Sequence, residues 1–136
     1  MARVSLPVER TVSRRGGHAA TGLVIVIRRN GEVETLTSPQ RAGGARTYTR
    51  GYSGVVDLDL SRGDVAVHVW LVKNPRGHVR GVIRVINDEG VEVLRAVYRR
   101  LKVRFSRGDP SYSWAVEEAM RILRLEKYVR KYTWPR

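Results

Sequence analysis

Cysteine is absent from this chain. No disulfide framework and no thiolate metal site can therefore form, which argues against a stapled secreted scaffold. Asparagine and glutamine are nearly as scarce, with Asn30, Asn74, Asn87 and Gln40 the only examples. Together with 2 Met, this is the depletion of thermolabile side chains expected of a thermophile. Long apolar runs are missing too. The longest, from Leu23 to Ile27, is far too short to cross a bilayer. The opening MARVSLPVERTVSRR holds no continuous apolar core of a secretory signal. The expectation is a soluble protein, cytoplasmic or nucleoid-associated, with no membrane contact.

Catalytic and cofactor signatures are equally thin. There is no Ser-His-Asp arrangement, no Walker loop and no GxGxxG fingerprint, and the glycine-rich AGGA at 42–45 lacks the flanking strand, helix and lysine of a phosphate loop. His18, His68 and His78 have no metal-ligand spacing, and His68, on a strand apolar on both sides, reads as a hydrogen-bonded core histidine. No cofactor is expected and the chain reads as non-enzymatic. The RNP aromatic signature, the KH context and zinc-finger spacings are also absent.

The scarcest charge is negative. Against 13 Asp and Glu stand 26 Lys and Arg, a formal net charge of +13 on 136 residues. Lys73, Lys102, Lys127 and Lys131 are the only lysines, so 22 of the 26 cations are arginine. Adaptation to heat would balance cations with acids, so temperature alone does not account for the excess. Such self-repulsion calls for a polyanion or an acidic partner. Arginine adds a planar fork that fits phosphate oxygens and stacks on aromatic rings. Nucleic acid is the partner expected.

With 42% hydrophobic residues the chain can bury a core, and its length fits a single domain over 1–136. Residues 1–21 read as a basic arm or edge strand, with Arg14-Arg15-Gly16-Gly17 as a joint. Residues 22–105 read as an antiparallel meander. GLVIVIRR (22–29) leads to the hairpin signal Asn30-Gly31 and a return strand at 32–37. Residues 38–54 read as a long loop. Strands follow at 54–60, 65–73 and 79–86, with turns at 61–64, 74–77 and 87–90. Val65–Lys73 is apolar on both faces and is expected to be covered on both. Residues 91–105 match both periods, and their Val and Tyr content favours one long, bent strand. Asp109-Pro110 caps a helix expected over 109–132, its apolar stripe running from Ala115 to Tyr132. The fold class is α+β, mainly β: a twisted antiparallel sheet of five to six strands with one long C-terminal helix packed on it.

Three surfaces are candidates for binding. In the 38–54 loop, Arg41, Arg46 and Arg50 alternate with Tyr48 and Tyr52, cations for phosphates interleaved with rings for unpaired bases. Between 95 and 107 lie Arg95, Arg99, Arg100, Lys102, Arg104 and Arg107 without an acid among them. On one long strand Arg100, Lys102 and Arg104 share a face with Tyr98. The third is a helix face carrying Arg121, Arg124, Tyr128 and Lys131. The C-terminal helix, with Trp134 beyond it, also offers a homodimer contact. The expected function is binding of single-stranded DNA or RNA through arginine–phosphate contacts and stacking on Tyr or Trp. An architectural subunit of a ribonucleoprotein or chromatin complex is a second expectation. A Mg-dependent nuclease built on Asp57 and Asp59, with Asp64, His68 and Glu92 converging, is a third.

Overall fold

The computed structural model describes residues 2–7, 11–12, 19–36, 46–50, 53–73, 76, 78–100, 102–123 and 131–133. Eleven strands among them form two sheets. They are β1 (Ala2–Pro7), β2 (Thr11–Val12), β3 (Ala19–Ile27), β4 (Val33–Leu36), β5 (Arg46–Arg50), β6 (Ser53–Leu60), β7 (Val65–Lys73), β8 (Val79–Ile86), β9 (Glu92–Arg99), β10 (Lys102–Gly108) and β11 (Lys131–Thr133). A 3-10 turn at Pro110–Tyr112 leads into the helix α1, Ser113–Ile122.

The large sheet runs β11-β10-β9-β8-β7-β3-β2, with β4 also on β3, and the small one β1-β6-β5. Every described pairing is antiparallel except β10 with β11. The class is as the composition and alternation imply: mainly β, with a helix against one face of a sheet. Several boundaries differ.

Alternation on β7 fixes the layering. Val65, Val67 and Val69 face a core with Ile25 of β3, Ile83 and Val85 of β8, Leu94 and Ala96 of β9, and Val103 and Phe105 of β10. That core is closed by Ala115, Val116, Ala119 and Met120, the apolar stripe of α1. Ala66 faces the opposite way, into a second core with Val24 and Val26 of β3, Leu36 of β4 and Ile86 of β8. Leu6 of β1 and Val56, Leu58 and Leu60 of β6 close it from the small sheet. The two covers are unequal in extent. Among the described residues the second core takes nothing from β9 or β10, so none of them covers the face opposite α1 there.

The turns follow local chemistry. Gly31 adopts φ 92° and its N–H bonds the Arg28 carbonyl at 2.9 Å, closing the β3–β4 hairpin. Gly90 (φ 77°) does the same after β8, its N–H on the Asn87 carbonyl at 3.0 Å, while Gly63 (φ 87°) after β6 donates its N–H to Asp88 Oδ2 at 2.7 Å. Asp64 is buried beneath the turn after β6. It accepts from the backbone N–H of Ser61 (2.8 Å) and Arg29 (2.9 Å) and from Arg28 Nη1 (3.0 Å). Burial alone would raise its pKa, but these three donors together hold it below the usual aspartate value.

Three expectations need correction. Residues 38–54 are not one loop, because Arg46–Arg50 forms β5 on the edge of the small sheet. RTYTR sets β-prone Thr-Tyr-Thr between two arginines, a polar pattern that carries no core signal. Residues 91–105 are not one bent strand but the hairpin β9–β10, with Lys102 opposite Arg99. Its turn has no Gly, Asn or Asp, and Arg100 itself takes the left-handed conformation at φ 52°. The helix is shorter than 109–132. It is α-helical only to Ile122, and Lys131–Thr133 pairs with β10 as a strand. The Tyr132 position that continued the helical stripe lies in a β-prone Tyr-Thr segment instead.

Gly22 marks the place where the two sheets meet most closely. A Cβ there would stand 2.0 Å from the Pro7 carbonyl oxygen and 2.9 Å from Trp70 Cε3. Backbone cannot yield by that much, so Gly22→Ala should lower unfolding free energy by about 2 kcal/mol or more, measured by urea denaturation. An unchanged midpoint would show that β1 is not seated on β3 there.

Candidate nucleic-acid interface

The strand registers place the cations of β8, β9 and β10 together. Paired residues share a face of a sheet, so the registers define rows across it. One row runs His68, Arg84, Arg95, Arg107. The next runs Trp70, Val82, Val97, Arg104, and the third Val72, Arg80, Arg99, Lys102. All lie on the face opposite α1. Arg80, Arg99, Lys102, Arg104 and Arg107 are exposed; Arg84, Arg95, Trp70, Val82 and Val97 are half-buried. The result is an apolar and aromatic stripe between two lines of cations. Successive rows stand about 7 Å apart and successive strands about 5 Å apart.

Among the described residues, Glu92 is the one acid in contact with these cations. Its Oε1 accepts from Arg95 at 2.8 Å and lies 3.8 Å from Arg84 Nε, while its Oε2 accepts from Arg107 at 3.0 Å. Partial burial pushes its pKa up, but bonds from Arg95 and Arg107 outweigh this and keep the carboxyl below its ordinary value. Glu92 stays ionised. Arg80, Arg99, Lys102 and Arg104 make no salt bridge to any described residue.

Two β-bulges set this arrangement. On β9 the register shifts so that Leu94 opposes Val85 but Glu92 opposes Ile86, leaving Val93 as the extra residue. Without it Glu92 would share the parity of Leu94 and Ala96 and point into the core under α1. On β10 Phe105 opposes Ala96 and Arg107 opposes Arg95, with Ser106 extra and its hydroxyl on the Arg95 carbonyl at 3.2 Å. That bulge brings Arg107 to the open face.

At the inner end of the first row, His68 is only 3% exposed. Its Nε2–H donates to the Pro7 carbonyl at 2.9 Å, so Nδ1 is the bare nitrogen and accepts from Arg84 Nη2 at 3.0 Å. The Trp70 ring stands 6.0 Å away, tilted by 30°. His68 is therefore the hydrogen-bonded core histidine expected, and it also steers Arg84.

The predicted site residues distribute as follows. Lys102, Arg104 and Arg107 are on the open face, together with Arg95 and Arg99. Arg100 is exposed at the hairpin turn, off the ladder. Tyr98 is a correction, because it pairs with Val103 and packs against the core under α1. The single-strand reading carried its parity through a turn that reverses the chain. Arg46, Tyr48 and Arg50 lie on β5, which pairs with β6 in the small sheet and not with β9 or β10. Arg41 and Tyr52 lie outside the described residues, as do Arg124, Tyr128 and Trp134. The helix stripe is not assembled as expected: Arg121 is on α1, bonded to Glu118, and Lys131 is on β11. Trp70, Arg80, Arg84, Val82 and Val97 were missed. Their signal, cations alternating with valine in VRGVIRVI, becomes legible only once the strand registers are known.

The acidic constellation does not converge. Asp57 and Asp59 share the outer face of β6, where Ser5 donates to Asp57 and Arg3 Nε to Asp59 at 3.2 Å. Asp64 serves the β6–β7 turn, while His68 and Glu92 belong to the cation face. No group of three His, Asp or Glu side chains is placed to hold a metal ion among the described residues. No family model matches the chain, and no curated protein or solved structure is significantly similar to it.

Burial is the main reason His68 has its pKa lowered from 6.5 to about 4; the Pro7 bond opposes this and the Arg84 charge adds to it. The unfolded chain therefore binds more protons than the folded one between those values. Stability from keeping His68 neutral is complete above pH 6.5 and disappears as pH falls through about 4. It amounts to about 3 kcal/mol, so urea midpoints should fall across this range and fall less in His68→Gln. Equal pH slopes in the two proteins would refute the burial of a neutral imidazole.

Proposed function

We propose that this chain binds single-stranded DNA or RNA across the open face of β7–β10. One observation carries the reading. Arg80, Arg84, Arg95, Arg99, Lys102, Arg104 and Arg107 share one side of adjacent strands with a single contacting carboxylate among the described residues. Their mutual repulsion is offset when phosphates lie between or above them, and the counterions released favour binding. The stripe of Trp70, Val82 and Val97 suits the faces of unpaired bases, which a duplex keeps stacked inside.

The reading departs from the residues first expected: stacking is assigned to Trp70 rather than to Tyr98, Arg80 and Arg84 join the cations, and Arg100 and the residues expected between 38 and 54 are not part of the face. The cation cluster of 95–107 remains its centre. Among the described residues the acids of the nuclease arrangement are not brought together.

Competition between an unstructured ssDNA, an unstructured ssRNA and a duplex at two salt concentrations tests it. A single strand engaging four or five phosphates should bind roughly 50–130-fold more weakly at 200 mM than at 50 mM salt. The double variant Arg99→Ser with Lys102→Ser should reduce the slope of log K against log salt by about 1.4. A binding isotherm indifferent to ionic strength would overturn the proposal. Duplex bound as tightly as single strand would replace it with an architectural or chromatin-type role.

A further inference from the structure

The two cation lines flanking the apolar stripe are not equivalent. Arg80, Arg99 and Lys102, with Arg104 at the end of the stripe, are exposed and make no salt bridge to a described acid. The other line is held. Arg95 places both Nε and Nη2 on Glu92 Oε1, Arg107 donates to Oε2, and Arg84 is fixed between His68 Nδ1 and Glu92. The first line carries four positive charges uncompensated by any described residue; the second carries three against one.

A phosphodiester backbone prefers the bare line, because Glu92 repels phosphate at the held one. Bases lying on Trp70, Val82 and Val97 then turn an edge toward Arg84 and Arg95, about 7 Å from the stripe. What those guanidiniums present is donors alone. Both Glu92 oxygens are engaged, and so is His68 Nδ1. Arg95 keeps Nη1 unengaged by Glu92, and its plane is set by the two bonds it makes there. A base edge facing this line must therefore offer acceptors. Between the two purines, whose stacking areas are alike, guanine offers O6 and N7 side by side, whereas adenine sets an amino donor beside N7.

We propose that this face recognises guanine in single-stranded nucleic acid, with Arg80, Arg99, Lys102 and Arg104 on the phosphates and the Glu92-held guanidiniums of Arg84 and Arg95 on the O6/N7 edge. The inference rests on the single-strand reading above and adds a base preference to it. Glu92 is a positioning residue: it orients the forks and sets the polarity of the site.

Fluorescence polarisation with octanucleotides alternating uridine with guanosine, adenosine, inosine or 7-deazaguanosine tests the assignment. The guanosine and inosine octamers should bind roughly tenfold more tightly than the adenosine one. The 7-deazaguanosine octamer, which lacks N7, should lose most of that advantage. Arg95→Lys keeps the charge but removes the fork and should flatten the guanosine-to-adenosine ratio. Glu92→Gln removes an acid, so it should tighten binding of every octamer while flattening the same ratio, an effect that mere loss of structure cannot give. Thermal melts confirm that each variant is folded. Equal affinity for guanosine and adenosine octamers, or a preference that survives both variants, overturns the base assignment and leaves salt-dependent single-strand binding intact. Failure to bind any octamer overturns both.

Discussion

Like-charge repulsion between neighbouring strands is the constraint on which the rest of the structure turns. A sheet with one face under a helix must send every polar residue of its strands to the other face. On β8, β9 and β10 those residues are largely arginine. Arg84 opposes Arg95, Arg95 opposes Arg107, Arg80 opposes Arg99, and Arg99 opposes Lys102. Unit charges about 5 Å apart repel by about 1–3 kcal/mol at the effective dielectric of a surface, before salt screens them. Glu92 offsets the first two contacts. No described acid offsets the others, so the free protein holds a charge density that stability alone does not favour.

The second core explains why the open face ends where it does. Among the described residues the small sheet covers β3, β4 and β7 through Leu6, Val56, Leu58 and Leu60, and shares its core with β8 at Ile86 alone. At its border the Pro7 carbonyl meets the His68 imidazole and approaches Gly22, beside the Trp70 ring. A buried imidazole with both nitrogens engaged is rigid and specific in orientation. It joins the packing of the two sheets to the position of Arg84, the innermost cation. Stability of the layered fold and geometry of the cation face are thus linked through one side chain.

Most of the strands were legible because their residues alternate or run apolar between Gly-, Asn- or Asp-containing turns, as at Asn30-Gly31 and at 87–90. The double coverage of Val65 to Val69 was legible because both parities are apolar, but farther along β7 Trp70 and Val72 stay half-buried on the face opposite α1. What could not be read was long-range. A sheet formed between the N-terminal arm and β6 leaves no local mark, since ARVSLP carries only an ordinary strand pattern. The β9–β10 turn was hidden because an arginine, Arg100, takes the left-handed backbone that Gly, Asn or Asp usually supplies. Clustered arginine marked the stretch that forms the β9–β10 hairpin. Which arginines share a surface, and that Arg80 and Arg84 join them, depended on registers that no periodicity encodes.

The bulges show why side chains central to the open face escape a parity argument. In an unbroken ladder Glu92 would follow Leu94 and Ala96 into the core, and Arg107 would follow Val103 and Phe105. Each strand carries one extra residue, Val93 on β9 and Ser106 on β10, and each shift turns a charged side chain outward. The displaced residues are accommodated: Val93 packs at the edge of the core under α1, and the Ser106 hydroxyl bonds the Arg95 carbonyl. Gly108 completes the second irregularity at φ 113°, where a Cβ would stand 2.3 Å from the Val93 carbonyl oxygen. The Glu92–Arg107 ion pair at 3.0 Å then joins residues that both reach the open face through a bulge. An ordered strand pair has no need of two such shifts to bury its valines and leucines. Their combined effect is to set one carboxylate among three guanidiniums, which separates the held line of cations from the bare one.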